Sequence, residues 1–286
     1  MALDQYKEEE EEEGMSFLDH LEQLRWHLLR SAAAILIFTV AAFLAKSIVL
    51  GVVILGPSKV DFITYRVRCQ ISDYFNVPPL CIDTLPFTIQ SRQMTGQFSM
   101  HLTSSMVVGL IVSFPYLFWE VWKFISPGLY SKERQAARGA VFFVSLLFFL
   151  GTAFGYFILA PLSINFLANY QLDPSILNEF DITSYIGTLT MLVLASAIMF
   201  QLPVVIYFLS MSGLVTAAML KSYRRHSIVV ILIVSALITP PDVISQVLIA
   251  MPILVLYEVG IQVAKRLEKK RAKKELEDNL KYKDNG

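Results

Sequence analysis

Apolar residues fall into six blocks along this chain: Leu28 to Leu50, Phe98 to Val121, Gly139 to Phe166, Ile186 to Leu209, Ile228 to Ile238 and Val243 to Val263. Most have no charge in their middle, so each reads as a helix that crosses a bilayer. The fifth block is short, with 11 apolar or small residues. At about 1.5 Å of rise per residue against a hydrocarbon core of roughly 30 Å, it predicts local thinning of the membrane. Between the fifth block and the body of the sixth stands Thr239-Pro240-Pro241-Asp242-Val243-Ile244-Ser245-Gln246. Two prolines, a carboxylate and an amide at that depth are justified only by a tight turn or a functional site. Ahead of the first block, Ser16-Phe17-Leu18-Asp19 reads as a capping-box variant, and Phe17, Leu21, Leu24 and Leu28 recur at helical spacing. They predict an amphipathic helix at the membrane interface, with Glu22, Gln23, Arg25 and His27 on its polar face.

Composition agrees that lipid is the solvent. Hydrophobic residues make up 55% of the chain and charged residues 17%, against about 25% charged in an ordinary soluble domain. The mean hydropathy is +0.55. The net charge of zero is an average over an acidic run, Glu8 to Glu13, and a basic one, Lys265 to Lys274. Of the 24 Lys and Arg residues, 19 fall before the first block or in its first turn, between the second and third, between the fourth and fifth, or after the sixth. The positive-inside rule then predicts both termini in the cytoplasm. The expected organisation is an acidic disordered tail over 1–15, a six-span membrane domain over 16–263 with an external insert at about 51–97, and a charged cytoplasmic tail over 264–286. No cleavable leader is expected, since the residues before the first block are acidic. Cys69 and Cys81 both fall in the external insert, which favours a disulfide over two inert thiols.

Glu120, Gln201, Gln246 and Glu258 lie in or near the spans, and each must face protein, water or a partner. Glu120 and Glu258 sit near cytoplasmic ends, where snorkelling explains them. Gln201, halfway along the fourth span and just before Pro203, has no such exit. In the loop from Phe124 to Arg134, Pro127 and Gly128 shape a compact turn, and Glu133 reads first as a solvated charge between Lys132 and Arg134. Gly151 and Gly155 form a small-residue pair suited to internal packing. The chain has no phosphate loop, no zinc-binding His-Glu-x-x-His helix, no serine-hydrolase elbow and no pair of mid-membrane aspartates. An enzyme, a metal site, a cofactor and nucleic-acid binding are therefore not expected. A secondary transporter with a midplane site at the broken hairpin stays open as an alternative, although matching interrupted half-repeats are not visible.

Taken together, His20-Leu21-Glu22-Gln23-Leu24-Arg25, the F-x-x-P-x-L-x-x-x-E-R pattern from Phe124 to Arg134, Gln201-Leu202-Pro203 and Thr239-Pro-Pro-Asp-x-x-Ser-Gln246 resemble the TatC subunit of the twin-arginine protein translocase. The resemblance runs from about Phe17 to Val263. It implies an all-α, glove-shaped six-helix bundle with short fifth and sixth helices in the bacterial cytoplasmic membrane, acting as receptor for folded proteins that carry a signal peptide with paired arginines. It also implies single-span partners of the TatA and TatB type, and a homo-oligomer within a receptor complex. By correspondence, Glu133, Phe124, Glu22, Gln23 and Arg25 fall on the signal-peptide site, and Gln201, Thr239 and Gln246 on the site for a partner helix. Pro57, Pro127, Pro240, Pro241 and Asp242 take structural roles. Two positions depart from the family pattern: Gln23 replaces a usual glutamate, with Glu22 one position earlier, and Gln201 replaces a glutamate in the fourth span.

Overall fold

The computed structural model describes residues 17–75, 81, 84–125, 139–173, 175–176, 178–238 and 243–284. Ten helices account for nearly all of the described regular structure: α1 Phe17–Leu44, α2 Ile63–Phe75, α3 Gly96–Ile125, α4 Ala140–Phe154, α5 Ala160–Asn169, α6 Ile182–Met199, α7 Leu202–Met211, α8 Ala217–Ser222, α9 Arg224–Ile238 and α10 Val243–Asp284. Short helical turns extend α1 through Ser58, and one wide π turn, Gly155–Leu159, joins α4 to α5.

Among the described residues, five stretches are long and apolar enough to cross a membrane: Glu22–Leu44, Gly96–Ile125, Ala140–Asn169, Ile182–Met211 and Gln246–Lys273. The fifth apolar block of the sequence is α9, a helix of 15 residues, about 22 Å long at 1.5 Å per residue. Three boundaries differ from expectation. The amphipathic segment and the first span are one uninterrupted helix, α1, because nothing in Leu24 to Leu28 breaks the ladder. The fourth span breaks into α6 and α7 at Phe200 and Gln201, where Pro203 in the first turn of α7 brings no N–H to bond backward. The last helix is not short. It runs 42 residues, since the Lys, Glu, Arg, Ala and Leu that follow Val263 are all strong helix formers.

Small residues set how closely the spans approach. A Cβ on Gly151 would stand 2.8 Å from the Cα of Ala197, and one on Gly155 2.8 Å from the Cα of Val193, so α4 lies backbone against backbone with α6. A core of Ala42, Val49, Ile54, Ala160, Ile164, Ile186, Leu189 and Leu192 fills the half of the bundle near the insert. Tyrosines satisfy the carbonyls that the irregular end of the first span leaves open. Tyr156 donates to the Val53 carbonyl at 2.7 Å, Tyr185 to that of Ile54 at 2.9 Å, and Tyr65 to those of Pro57 and Pro161, both at 3.1 Å. Pro57 thus sits where one buried tyrosine ties the ends of two spans together.

The insert holds α2, a Cys69–Cys81 disulfide and one strand of the two-stranded sheet that is the one departure from an all-helical fold among the described residues. Strands Thr88–Gln90 (β1) and Glu179–Asp181 (β2) pair in parallel, with Thr88 opposite Glu179 and Gln90 opposite Asp181. Arg92 fastens this joint: its backbone N–H donates to Asp181 Oδ2 at 3.0 Å and its guanidinium to Glu179 Oε2 at 3.1 Å. Asp181 also caps α6, accepting from the Thr183 N–H at 2.8 Å.

At the other end of the bundle, the extension of α10 clamps the connection between α7 and α8. Glu268 accepts from the Ala217 N–H at 2.6 Å, at the start of α8. The Arg271 guanidinium donates to the carbonyls of Ser210 and Met211, at the end of α7.

Candidate functional site

The N-terminal half of α1 packs along the C-terminal half of α3, and a polar cluster around one buried carboxylate lies in the seam. On α3, Tyr116, Trp119, Glu120, Lys123 and Phe124 recur at three- and four-residue spacing, so one helix face gathers them. Glu120 is only 1% exposed. His27 of α1 meets it with Nδ1 2.6 Å from Oε2, and Lys123 holds Nζ 3.8 Å from Oε1. The Tyr116 hydroxyl hydrogen-bonds the same carboxylate. A buried carboxylate is tolerated where it is paired and bonded in this way. Around the charges, the Lys123 ammonium lies 3.4 Å from the centre of the Trp119 ring, a cation–π contact. The Phe124 ring meets His27 edge-on at 6.2 Å between centroids.

Glu22, Gln23 and Arg25 stand within a turn and a half before His27 on α1 and are exposed, whereas Leu24 and His27 are half-buried. The exposed polar face of α1 therefore opens beside the buried pair, at the end of α3 where Phe124 lies half-buried. Glu133 and Pro127, which follow α3 in the sequence, lie outside the described residues. The sequence reading missed the His27–Glu120 pair. Glu120 reads as a snorkelling charge, and the clue available was that a histidine and a carboxylate stand at the same end of two adjacent spans.

The second candidate region is the break in the fourth span. Gln201 donates from Nε2 to the Val144 carbonyl at 3.4 Å, while its buried Oε1 has no partner in the protein. Beside it lies an apolar groove of about 350 Å³ between α4, α7 and α10, lined by Val144, Leu147, Pro203, Val204, Tyr207 and Val259. Gln246 donates to the Leu232 carbonyl at 3.1 Å, so its amide bridges α10 to α9. Thr239, Pro240, Pro241 and Asp242 lie outside the described residues. Glu258, expected to snorkel, pairs with Arg224 at 2.7 Å on the surface. Among the described residues no group of three or more His, Cys, Asp or Glu side chains could hold a metal ion.

Long apolar helices, a buried carboxylate bonded to a histidine at one end and an amide with one unpartnered oxygen in mid-span define a multi-pass helical membrane protein whose polar groups serve recognition or packing. The family model for the Sec-independent protein translocase protein, TatC, matches residues 19–252. The chain belongs to the TatC family, and is a component of a protein translocase and not an enzyme. It is 36% identical over 263 residues to the TatC of Blattabacterium sp. subsp. Periplaneta americana, covering 91% of this chain and 99% of that one. It is 29% identical over 265 residues to TatCy of Bacillus subtilis, covering 92% and 94%. A crystal structure of a twin arginine translocase receptor, TatC, in DDM superposes with a TM-score of 0.67 at 30% identity, over 86% of this chain and 99% of that one. The family match sets aside the transporter alternative.

Proposed function

We propose that the chain is the receptor subunit of a twin-arginine translocase in the bacterial cytoplasmic membrane, with six spans and both termini in the cytoplasm. On this reading the short helix α9 completes the sixth crossing in a locally thinned bilayer. The mouth between the start of α1 and the end of α3 takes the signal peptide. The observation that carries the reading is the buried His27–Glu120 pair, which holds those two helix ends together and leaves Glu22 and Gln23 exposed beside Phe124. Carboxylates suit a guanidinium pair because the bidentate charge-assisted bond supplies geometry as well as energy. Glu133 supplies the principal carboxylate from the loop after α3, and Glu22 takes the part of the glutamate that Gln23 replaces, with Gln23 and Arg25 completing that wall. Gln201, with an acceptor still open, together with Thr239 and Gln246, meets the transmembrane helix of a TatA- or TatB-type partner. Several copies assemble in one receptor complex.

Site-specific photocrosslinking tests both halves. A probe at Glu22 or Glu133 is expected to capture a signal peptide with paired arginines and not one with paired lysines. A probe at Gln246 is expected to capture a single-span partner. Capture of the lysine peptide with equal yield would overturn the recognition site.

A further inference from the structure

Helix α2 has three sides where a helix resting on a soluble protein needs two. Tyr65 and Ser72 are buried against the bundle, with Thr64 and Cys69 half-buried beside them. Arg66, Gln70 and Asp73 are exposed on a polar side. The third side is apolar and also exposed: Ile63, Val67, Ile71, Tyr74 and Phe75 fall within a sector of about 120° at 100° per residue, and Tyr74 is 83% exposed. Such a stripe marks a neighbour other than water.

The position of the helix identifies that neighbour. Thr64 Oγ1 donates to the Phe157 carbonyl at 2.5 Å. The Phe62 ring, just before α2, stacks on Phe157 at 5.9 Å and meets Tyr156 edge-on at 5.4 Å. Phe157 and Ile158 are exposed on the outside of the span Ala140–Asn169. Counted from Ala140, a hydrocarbon core of roughly 30 Å is crossed in about 20 residues at 1.5 Å per residue, which ends near Leu159, so Phe157 lies within a turn of that end. That is the level at which hydrocarbon gives way to head groups. The apolar side of α2 continues the lipid-facing surface of the neighbouring span, and its polar side points away from it. Tyr74 has an apolar ring and a polar tip, the residue type that collects at this level.

We propose that α2 is a membrane-interface helix, seated through Ile63, Val67, Ile71 and Tyr74 in the phospholipid of the leaflet at the disulfide-bearing end of the bundle. Arg66, Arg68 and Asp73 leave the helix one positive charge, so apolar burial, and not attraction to anionic lipid, is what holds it. The seat is independent of which leaflet that end faces. Under the topology proposed above it is the outer one, and failure of that topology would leave the depth measurement unaffected.

The test uses the full chain with its disulfide intact, reconstituted into vesicles of phosphatidylcholine alone and of phosphatidylcholine with phosphatidylglycerol. A ketone-bearing amino acid carries a nitroxide at position 67, 71, 66 or 70 in turn. At 67 and 71, collisions with oxygen are expected to exceed those with a water-soluble nickel chelate several-fold. At 66 and 70 the order is expected to reverse, and both patterns to be the same in the two lipid mixtures. Nickel access at 67 and 71 equal to that at 70 would overturn the proposal. So would protection from both reagents with dipolar broadening between labels, which would make this side a contact between copies of the chain.

Discussion

Lysine at position 133 would set a cation against the guanidinium pair of the signal peptide, where the proposed site needs an anion. Glu133→Lys is expected to abolish export of a twin-arginine substrate while membrane insertion and partner assembly continue. Glu133→Gln, which keeps a neutral acceptor, is expected to be milder, and Lys132→Gln to matter little. Export assays with co-purification of the partner measure both effects, and normal export by Glu133→Lys would return Glu133 to a solvated loop charge. The His27–Glu120 pair makes a different demand, because removing one member of a buried pair leaves the other unbalanced. His27→Ala and Glu120→Ala are each expected to lower stability, by about 1 to 3 kcal/mol for an orphaned buried group. The double variant is expected to lose less than the sum, with a coupling of roughly 0.5 to 3 kcal/mol. Thermal unfolding of the four proteins in detergent checks this, and strict additivity would dissolve the pair. The sequence carried Glu120 and His27 as separate polar residues. Their partnership is a tertiary contact between residues 93 positions apart, and no spacing rule reaches across that distance.

Among the elements, the long spans were legible because a run of apolar residues is itself the physical requirement for crossing lipid. The strands were not. Thr88–Gln90 and Glu179–Asp181 have three residues each, too few for an alternating pattern to show, and they exist because Arg92 and Asp181 bind the joint. That joint is sensitive to acid. Hydrogen bonds from the Thr183 side chain and backbone, then from the Arg92 backbone, hold the Asp181 carboxyl below the usual carboxylate range. A depressed folded-state value means the contribution is present above the unfolded value, about 3.9 for aspartate, and is lost as pH falls through the folded one. Protection of the Ile89 and Gln90 amides, taken relative to the intrinsic exchange rate at each pH, is therefore expected to hold from neutral to mildly acidic pH and to fall below about pH 4, near the free-aspartate value. In Asp181→Asn the pH step is expected to vanish, and a step of unchanged size would assign it to another group.

Over the whole molecule, orientation rests on the distribution of lysine and arginine, and the disulfide offers a way to read it. In intact cells, a membrane-impermeant maleimide is expected to leave the unreduced chain unlabelled, and to label Cys69 and Cys81 after reduction, from outside. Labelling without reductant would remove the disulfide, and labelling only in inverted vesicles would reverse the topology. The outline of the membrane domain was legible in the sequence because burial in lipid is written residue by residue. The close packing of α4 on α6 showed only as Gly151 and Gly155. The end of the last helix was misread because charged residues signal exit from the membrane without signalling the end of a helix.

That last helix has a mechanical consequence. Pro252 removes one backbone bond from α10, and from residue 253 onward the ladder is unbroken to Asp284, a rod of about 48 Å at 1.5 Å per residue. Glu268 and Arg271 bolt this rod to the loop between α7 and α8. At Pro252 itself the helix is held by packing, with Ile249, Ala250 and Ile253 buried in the core on either side. The short arm from Val243 to Met251 is tied to α9 through Gln246, so a load on the charged end passes along the rod to the connection between α7 and α8, where Glu268 and Arg271 hold it.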